Sequence, residues 1–376
     1  MKSLNWNLQK ITDCILFNLI IVIPSFRLLD KFHYLVLAVP LIVTLNFLYY
    51  GLHQNFFSRF LKGKIWIFSL IIYFAGAASL YPIVSKRSNP GSTGDDAIIL
   101  AAKTLKNSGK LYDVYINANT PISPGPGWIL LNSGFPLLNL FFLFGPVYIL
   151  LVIAVLKYSK IPDYLINTFC LLISSSLVFW ELLFNGHDYL SLSFAFFAIF
   201  ILIFKLLRTK IEIWKLLLIG FFLGIFSTSR IVFIAFPFIY SFFLMNFNKR
   251  NAYLLLLISI VTNLSFNIYY YSVNDFFQPL HIFTKAEKFF GIAPIFIISL
   301  IALFVLYFLS RQKTFDLKLV TYKISLLLSA IFIPVAYLDL FRVKFHFFEW
   351  EGANYIFLIV PFFAFYLATK MVRLEF

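Results

Sequence analysis

"DYLSLSFAFFAIFILIF", residues 188–204, has one charge, at its first position, followed only by uncharged and mostly apolar side chains. A helix needs roughly 20 predominantly apolar residues to cross a bilayer. Inside lipid every backbone polar group must find its partner within the chain, and runs of this length and composition do so as helices, which excludes a barrel. Similar runs recur on both sides of this one, at 11–27, 32–50, 64–84, 128–156, 161–183, 212–228, 230–247, 252–272, 289–309, 319–338 and 352–370. Together they predict an all-α polytopic membrane helix bundle of about 12 transmembrane helices. The 128–156 run is longer than one crossing and contains Pro136 and Pro146, so a short interfacial helix is expected before its true span. The runs at 212–228 and 230–247 meet at "STSR", where a tight turn must form.

Composition supports the same class. The chain has 376 residues, 61% of them hydrophobic, 12% charged and 50 of them phenylalanine, with a mean hydropathy of +0.89. That is more apolar surface than a soluble core of this length can hide. A net charge of +15 invites nucleic acid as a partner, but lysines placed between apolar runs are explained as topology determinants. Nucleic acid is therefore set aside, and membrane lipids are the expected surroundings. Cys14 and Cys170 both fall inside apolar runs, so neither a disulfide framework nor a cysteine metal site is expected. Lys2 and Lys10 precede an apolar run with no small-residue cleavage site after it, which reads as a retained first span.

Orientation follows from the basic residues. With a cytoplasmic amino terminus, the inner segments collect 19 of the 31 Lys and Arg, from runs such as "SRFLKGK", "KLLRTKIEIWK", "NKRN" and "RQKTFDLK". The other face then receives 11 of the 16 acids, including Asp95, Asp96, Asp113, Glu181, Asp188 and Asp339. Both termini are expected inside, as in a multi-pass protein of a bacterial cytoplasmic membrane. The polar constellations "STGDDA", "NGHD", "STSR", "NDFFQPLHIF" and "LDLFRVKFHFFEWEGANY" are expected outside. One membrane domain covers 1–376, with three spans in 1–84, an outer loop at 85–127 and the remaining spans in 128–376.

The outer loop contains the sequence's longest polar interval. Ile98, Ala101, Ala102 and Leu105 recur at helical spacing with Lys103, Lys106 and Asn107 opposite, which predicts an amphipathic helix from Asp95 to Ser108 on the bilayer surface. Gly109 stands where such a helix stops. Thr93 with Asp96, or Ser92 with Asp95, fits a capping box, and acids in a first turn complement the helix dipole. One cap needs one carboxylate, so the second aspartate is free for other work. An ionised carboxylate held at a helix amino terminus by the membrane edge is suited to take a proton from an acceptor hydroxyl.

The order of an acidic pair in a large outer loop, a surface helix, "GKLYDVY" and the Pro-rich return "TPISPGPGW" resembles the GT-C superfamily of polytopic glycosyltransferases. It is most similar to the branch of polyprenol-phosphate-mannose-dependent mannosyltransferases. "GFFLGIFSTSRIVFIAFPFIY" resembles that family's glycine-rich helix with its basic residue and proline, and "EGANYIFLIVPFF" resembles its closing Tyr and Pro helix. The family usually places its acidic loop after the first span, whereas here it follows the third.

The resemblance implies an inverting transfer of a mannose-like hexose from a polyprenyl-phosphate sugar donor to a lipid or glycan acceptor on the outer face, with Asp95 or Asp96 as base. Asp95 is favoured, because Thr93 and Asp96 make the better capping box. A departing polyprenyl phosphate develops charge that a fixed cation stabilises, and Arg230 is the leading candidate, with interfacial snorkelling as the alternative role. Arg342, Lys344 and His346 follow, set against a solvated loop balanced by Asp339, Glu349 and Glu351. His187 and Asp188 are candidates for sugar contacts, although Asp188 also fits as a helix cap. Tyr112, the tyrosine of the Gly-x-x-Tyr pattern, is counted with the substrate-binding residues, while His281 and Asp275 are weaker candidates. The histidines lack paired metal-ligand spacing, so no metal and no cofactor is expected. Two other functions fit an outer-face polar set: a transporter or flippase of lipid-linked saccharides, and an O-antigen polymerase or ligase-like enzyme.

Overall fold

The computed structural model describes residues 2–54, 56–57, 61–87, 93–116, 121–207, 212–274, 276–278, 280, 287–310 and 316–371. In chain order the first helices are α1 (Lys2–Phe17), α2 (Phe26–Lys31), α3 (Ala38–His53), α4 (Ile65–Arg87), α5 (Thr93–Ser108) and α6 (Pro126–Asn132). Next come α7 (Gly134–Leu137), α8 (Phe144–Tyr158), α9 (Asp163–Ser174), α10 (Leu177–Asn185), α11 (Asp188–Leu207) and α12 (Ile213–Ser227). The last are α13 (Ala235–Met245), α14 (Lys249–Val273), α15 (Ile292–Ser310), α16 (Leu317–Arg342), α17 (Gly352–Ile356) and α18 (Val360–Met371).

Among the described residues, eight helical stretches are long and apolar enough to cross a membrane: Gln9–Lys31, Leu35–His53, Ile65–Val84, Phe141–Tyr158, Asp188–Leu207, Lys249–Val273, Ile292–Leu309 and Leu317–Arg342. A ninth forms if α9 and α10, bent by 81° at their junction, count as one span. The apolar helices Ile213–Ser227 and Ile231–Met245 are shorter. The expected short helix ahead of the 141–158 span is present as α6 and α7.

Side-chain exposure separates protein-facing helices from lipid-facing ones. On α15, Phe296, Leu303 and Phe304 are 60%, 62% and 64% exposed. Water would penalise such a surface, and hydrocarbon does not. By contrast α11 is buried almost all round, from Asp188 to Phe204, as expected of a helix that is apolar on every face.

The chain forms two compact units. The first comprises Met1–Ser69, Ile161–Leu182 and Asp316–Phe376. In it the side chain of Asp13 is paired with Lys370 and accepts from the hydroxyl of Tyr366 at 2.9 Å. Asn167 accepts from the Trp66 backbone N–H at 2.8 Å and donates to the carbonyls of Leu61 and Gly63. Asp316 caps α16 by accepting from the N–H of Lys318 at 2.9 Å.

The second unit comprises Leu70–Lys160 and Leu183–Phe315. Here α11 packs against α8 and α12, and α12 against α14. The α12–α14 pair is close because Gly224 has no side chain: a Cβ there would lie 2.6 Å from Thr262 Cβ and 2.7 Å from the Ser259 carbonyl. Small residues of this kind, joined by interhelical hydrogen bonds, hold helices together where lipid supplies no hydrophobic drive. Ser259 Oγ donates to the Gly220 carbonyl at 3.0 Å, and Asn263 Nδ2 donates to Ser227 Oγ at 2.9 Å.

The amphipathic pattern at 95–108 forms α5, and Gly109 closes it with φ +75°. Its apolar side is covered by protein: Ala97, Ile98, Ala101 and Ala102 are fully buried, and the helix packs on α6 and α7. Lys103, Lys106 and Asn107 are exposed opposite. The apolar stripe that periodicity assigned to the bilayer surface thus serves as a core face.

Candidate active site

The site lies in the second unit and is built on four local features. The first is the opening turn of α5, where Asp95 points inward at 5% exposure and Asp96 points outward. Adjacent helical residues diverge by about 100°, so one of the pair must face away. Tyr81, on α4, donates its hydroxyl to Asp95 Oδ2 at 3.3 Å. Burial and the neighbouring charge of Asp96 push the Asp95 carboxyl up to about 6, against the pull of the Asp95 and Asp96 backbone N–H groups and of His187. The carboxyl therefore titrates close to neutral pH, as a proton acceptor in catalysis should. The proposed capping boxes depend on Ser92 and on the side chain of Thr93, which lie outside the described residues.

The second feature is "NGHD". Gly186 turns the chain with φ +68° between α10 and α11, and His187 lies directly over Gly94. A Cβ on Gly94 would come within 2.8–2.9 Å of three atoms of the His187 ring, so only glycine allows the start of α5 to approach this closely. His187 stacks on Tyr189 with ring centroids 4.8 Å apart. Its Nδ1 lies 3.2 Å from Asp188 Oδ1 and also 3.2 Å from the N–H of Tyr189. One nitrogen cannot serve both neighbours. Protonated, it donates to Asp188; unprotonated, it accepts from Tyr189.

The third feature is the "STSR" turn. Arg230 is 7% exposed and Asp188 is fully buried, and Arg230 Nη1 donates to Asp188 Oδ2 at 3.1 Å and to the Ser229 carbonyl at 2.7 Å. The guanidinium carbon stands 5.4 Å over the Tyr189 ring. Arg230 is thus held in a buried ion pair and does not snorkel. Asp188, at the first residue of α11, pairs its Oδ2 with Arg230, while its Oδ1 faces His187 Nδ1 at 3.2 Å and is satisfied only when that nitrogen carries a proton.

The fourth feature is the Pro-rich return, which fixes the turn in place. Gly125 N–H donates to the Ser229 carbonyl at 3.1 Å, and Trp128 N–H donates to Thr228 Oγ1 at 2.9 Å. A Cβ at Gly125 would fall 1.8 Å from the Thr228 carbonyl oxygen, so "PGPGW" needs its glycine to seat on "STSR". Tyr112 is a strut of this loop. It is 1% exposed, stacks on Phe277 at 4.3 Å, and donates its hydroxyl to the Pro124 carbonyl at 2.8 Å. Burial holds its phenol well above the ordinary range.

Asp95, His187, Asp188 and Arg230 are thereby gathered in one unit, joined by Tyr81, Tyr189 and Ser229, which sequence reasoning passed over. Tyr81 and Tyr189 sit inside apolar runs and read there as span residues; their position near the ends of those runs was the available signal. Arg342, Lys344 and His346 belong to the first unit. There Arg342 pairs with Asp339 at 2.8 Å, as the balanced-loop alternative expects, and Lys344 and His346 are exposed. Asp275 and His281 lie outside the described residues. No family model matches the chain, and neither does any curated protein or solved structure.

Proposed function

We propose that this chain is a membrane glycosyltransferase of GT-C type. It would move a mannose-like hexose from a polyprenyl-phosphate donor to a lipid-linked or other acceptor on the outer face, in a twelve-crossing topology with both termini inside. The observation that carries the reading is the buried Asp95 carboxyl, titrating near 6 and standing in one unit with the held guanidinium of Arg230. In the proposed step the Asp95 carboxylate takes the proton of an acceptor hydroxyl, and that oxygen forms a bond to the anomeric carbon. The bond from the anomeric carbon to the phosphate oxygen breaks on the opposite side, inverting the centre. The polyprenyl phosphate leaves with the electron pair, and Arg230 offsets the charge it develops. His187 and Asp188 hold Arg230 and the wall of the site. Asp96, being exposed, is left to the helix dipole.

The test is transfer by the purified protein in liposomes, with labelled polyprenyl-phosphate mannose as donor and extracted membrane lipids as acceptor source. Release of polyprenyl phosphate together with a new labelled product supports the reading. Donor left intact across a panel of polyprenyl-phosphate hexoses overturns it. A second reading, a flippase of lipid-linked saccharides, is favoured by the 81° break between α9 and α10, since broken helices line sites in transporters. It predicts transbilayer movement of the donor without chemical change.

A further inference from the structure

The break between α9 and α10 builds a polar cluster in the first unit that takes no part in the proposed transfer. The N–H of Leu177, orphaned where α10 begins, donates to Ser25 Oγ at 2.9 Å. The Ser174 carbonyl, exposed where α9 ends, accepts from Trp180 Nε1 at 2.8 Å. With both broken ends satisfied, α10 turns Glu181 toward α2, the short helix holding Arg27 and Lys31. Arg27 Nη1 and Lys31 Nζ each lie 3.6 Å from Glu181 Oε1. That separation gives attraction but exceeds a hydrogen bond, whose heavy-atom distance is about 2.7–3.2 Å.

Glu181 is 4% exposed, and neither of its oxygens has a hydrogen-bond partner among the described residues; the buried Arg27 Nε has none either. Such groups are costly when left unmade. The cluster is otherwise firmly held: Arg27 Nη1 donates to Asn354 Oδ1, and Asp30 Oδ2 accepts from the Phe348 N–H at 2.8 Å. Glu181 and Asp30 match Arg27 and Lys31 in charge, and what remains is a donor on Arg27 and two acceptors on Glu181 without hydrogen bonds among the described residues.

We infer that this cluster binds a phosphate ester bearing a nearby hydroxyl, with the phosphate on Arg27 and Lys31 and the hydroxyl donating to Glu181. A glycerol-phosphate or sugar-phosphate lipid headgroup has this chemistry, and so does a soluble sugar phosphate. The cluster sits at the ends of two apolar segments, Gln9–Lys31 and the bent α9–α10 pair, where a headgroup would lie. Its residues are distinct from Asp95 and Arg230, so transfer can fail while this site stands.

The experiment uses the full chain in phosphatidylcholine nanodiscs containing graded phosphatidylglycerol, with retained lipid read by native mass spectrometry. Wild type is expected to retain phosphatidylglycerol over phosphatidylcholine, and over phosphatidylmethanol, which lacks the hydroxyl. Arg27→Gln and Lys31→Gln should each cut that preference about tenfold, the loss of one charge-assisted hydrogen bond. Glu181→Gln should erase the discrimination against phosphatidylmethanol. Displacement of the lipid by glycerol 3-phosphate assigns the site to soluble esters, and resistance to displacement assigns it to a headgroup. If Arg27→Gln does not fold, Lys31→Gln, altering a side chain 35% exposed, carries the test. Equal retention of the lipids by wild type overturns the inference. So do variants that lower the melting temperature equally in every lipid while leaving retention unchanged, the behaviour of a purely structural ion cluster.

Discussion

Asp188→Asn is the most informative perturbation of the candidate site, because Asp188 and Arg230 are an ion pair taken almost wholly out of water. Asp188 is fully buried, Arg230 is 7% exposed, and the contact is 3.1 Å. Removing one partner of such a pair leaves an uncompensated buried charge, at a cost of about 3–5 kcal/mol, whereas removing both often costs little. The Ser229 carbonyl and hydroxyl, at 2.7 and 3.2 Å from Arg230 Nη1, and the Tyr189 ring still solvate the guanidinium, so the lower end, about 3 kcal/mol, is expected. Arg230→Gln should cost a similar amount, since it strands the Asp188 carboxylate. The double variant should then recover about 2 kcal/mol or more relative to the sum of the singles. The assay is denaturant unfolding in mixed micelles on all four proteins. A coupling below about 0.5 kcal/mol, the level at which independent sites add, would refute the pair as the anchor of Arg230.

Further consequences can be tested separately. The folded Asp95 carboxyl is raised to about 6 from an unfolded value of about 3.9, so its protonated form favours folding. This contribution is complete below about pH 4 and is lost as pH rises through about 6, roughly 3 kcal/mol in all at about 1.4 kcal/mol per unit. Asp95→Asn should therefore flatten the fall in stability between pH 4 and 7, and an unchanged slope would exclude a buried, raised Asp95. Gly94→Ala should displace the His187 ring, costing about 1–3 kcal/mol as an overpacked contact and altering the His187 imidazole resonances; a variant as stable as wild type would contradict the close approach. For topology, single cysteines at Ser108 and Thr209 in a Cys14→Ala/Cys170→Ala background should react oppositely with an impermeant thiol reagent in intact cells, Ser108 labelled and Thr209 not. The reverse pattern would invert the orientation.

Much of the helical architecture is legible from hydropathy, because length and apolarity decide which segments lipid accepts. The "DYLSLSFAFFAIFILIF" run forms a helix long and apolar enough to cross a membrane, α5 stops at Gly109, and the long 128–156 run breaks ahead of its longest helix. Three matters were not legible. The kink inside 161–183 falls at Ser174–Ser176, with no Pro or Gly to announce it; the broken ends are satisfied by Trp180 and by Ser25, whose hydroxyl lies far away in the chain. The apolar face of α5 has the same periodicity whether it meets lipid or protein, so sequence could not tell that α6 and α7 cover it. The pairing of Asp188 with Arg230 joins residues at the ends of different helices. Each alone reads as an ordinary cap or an interfacial cation, and only tertiary packing of α11 against the "STSR" turn brings them together.

The central claim is that the two adjacent aspartates have different work, Asp95 as the proton acceptor and Asp96 as an exposed partner of the helix dipole. The most direct measurement is the rate of hexose transfer from polyprenyl-phosphate mannose by Asp95→Asn and Asp96→Asn, each confirmed to be folded. Loss of a general base is expected to cost on the order of 10²-fold or more, while loss of a first-turn carboxylate costs about 1 kcal/mol or less of stability and leaves turnover largely intact. The account predicts that only Asp95→Asn loses transfer on that scale. Near-wild-type transfer by Asp95→Asn, or an equal loss in both variants, would contradict it.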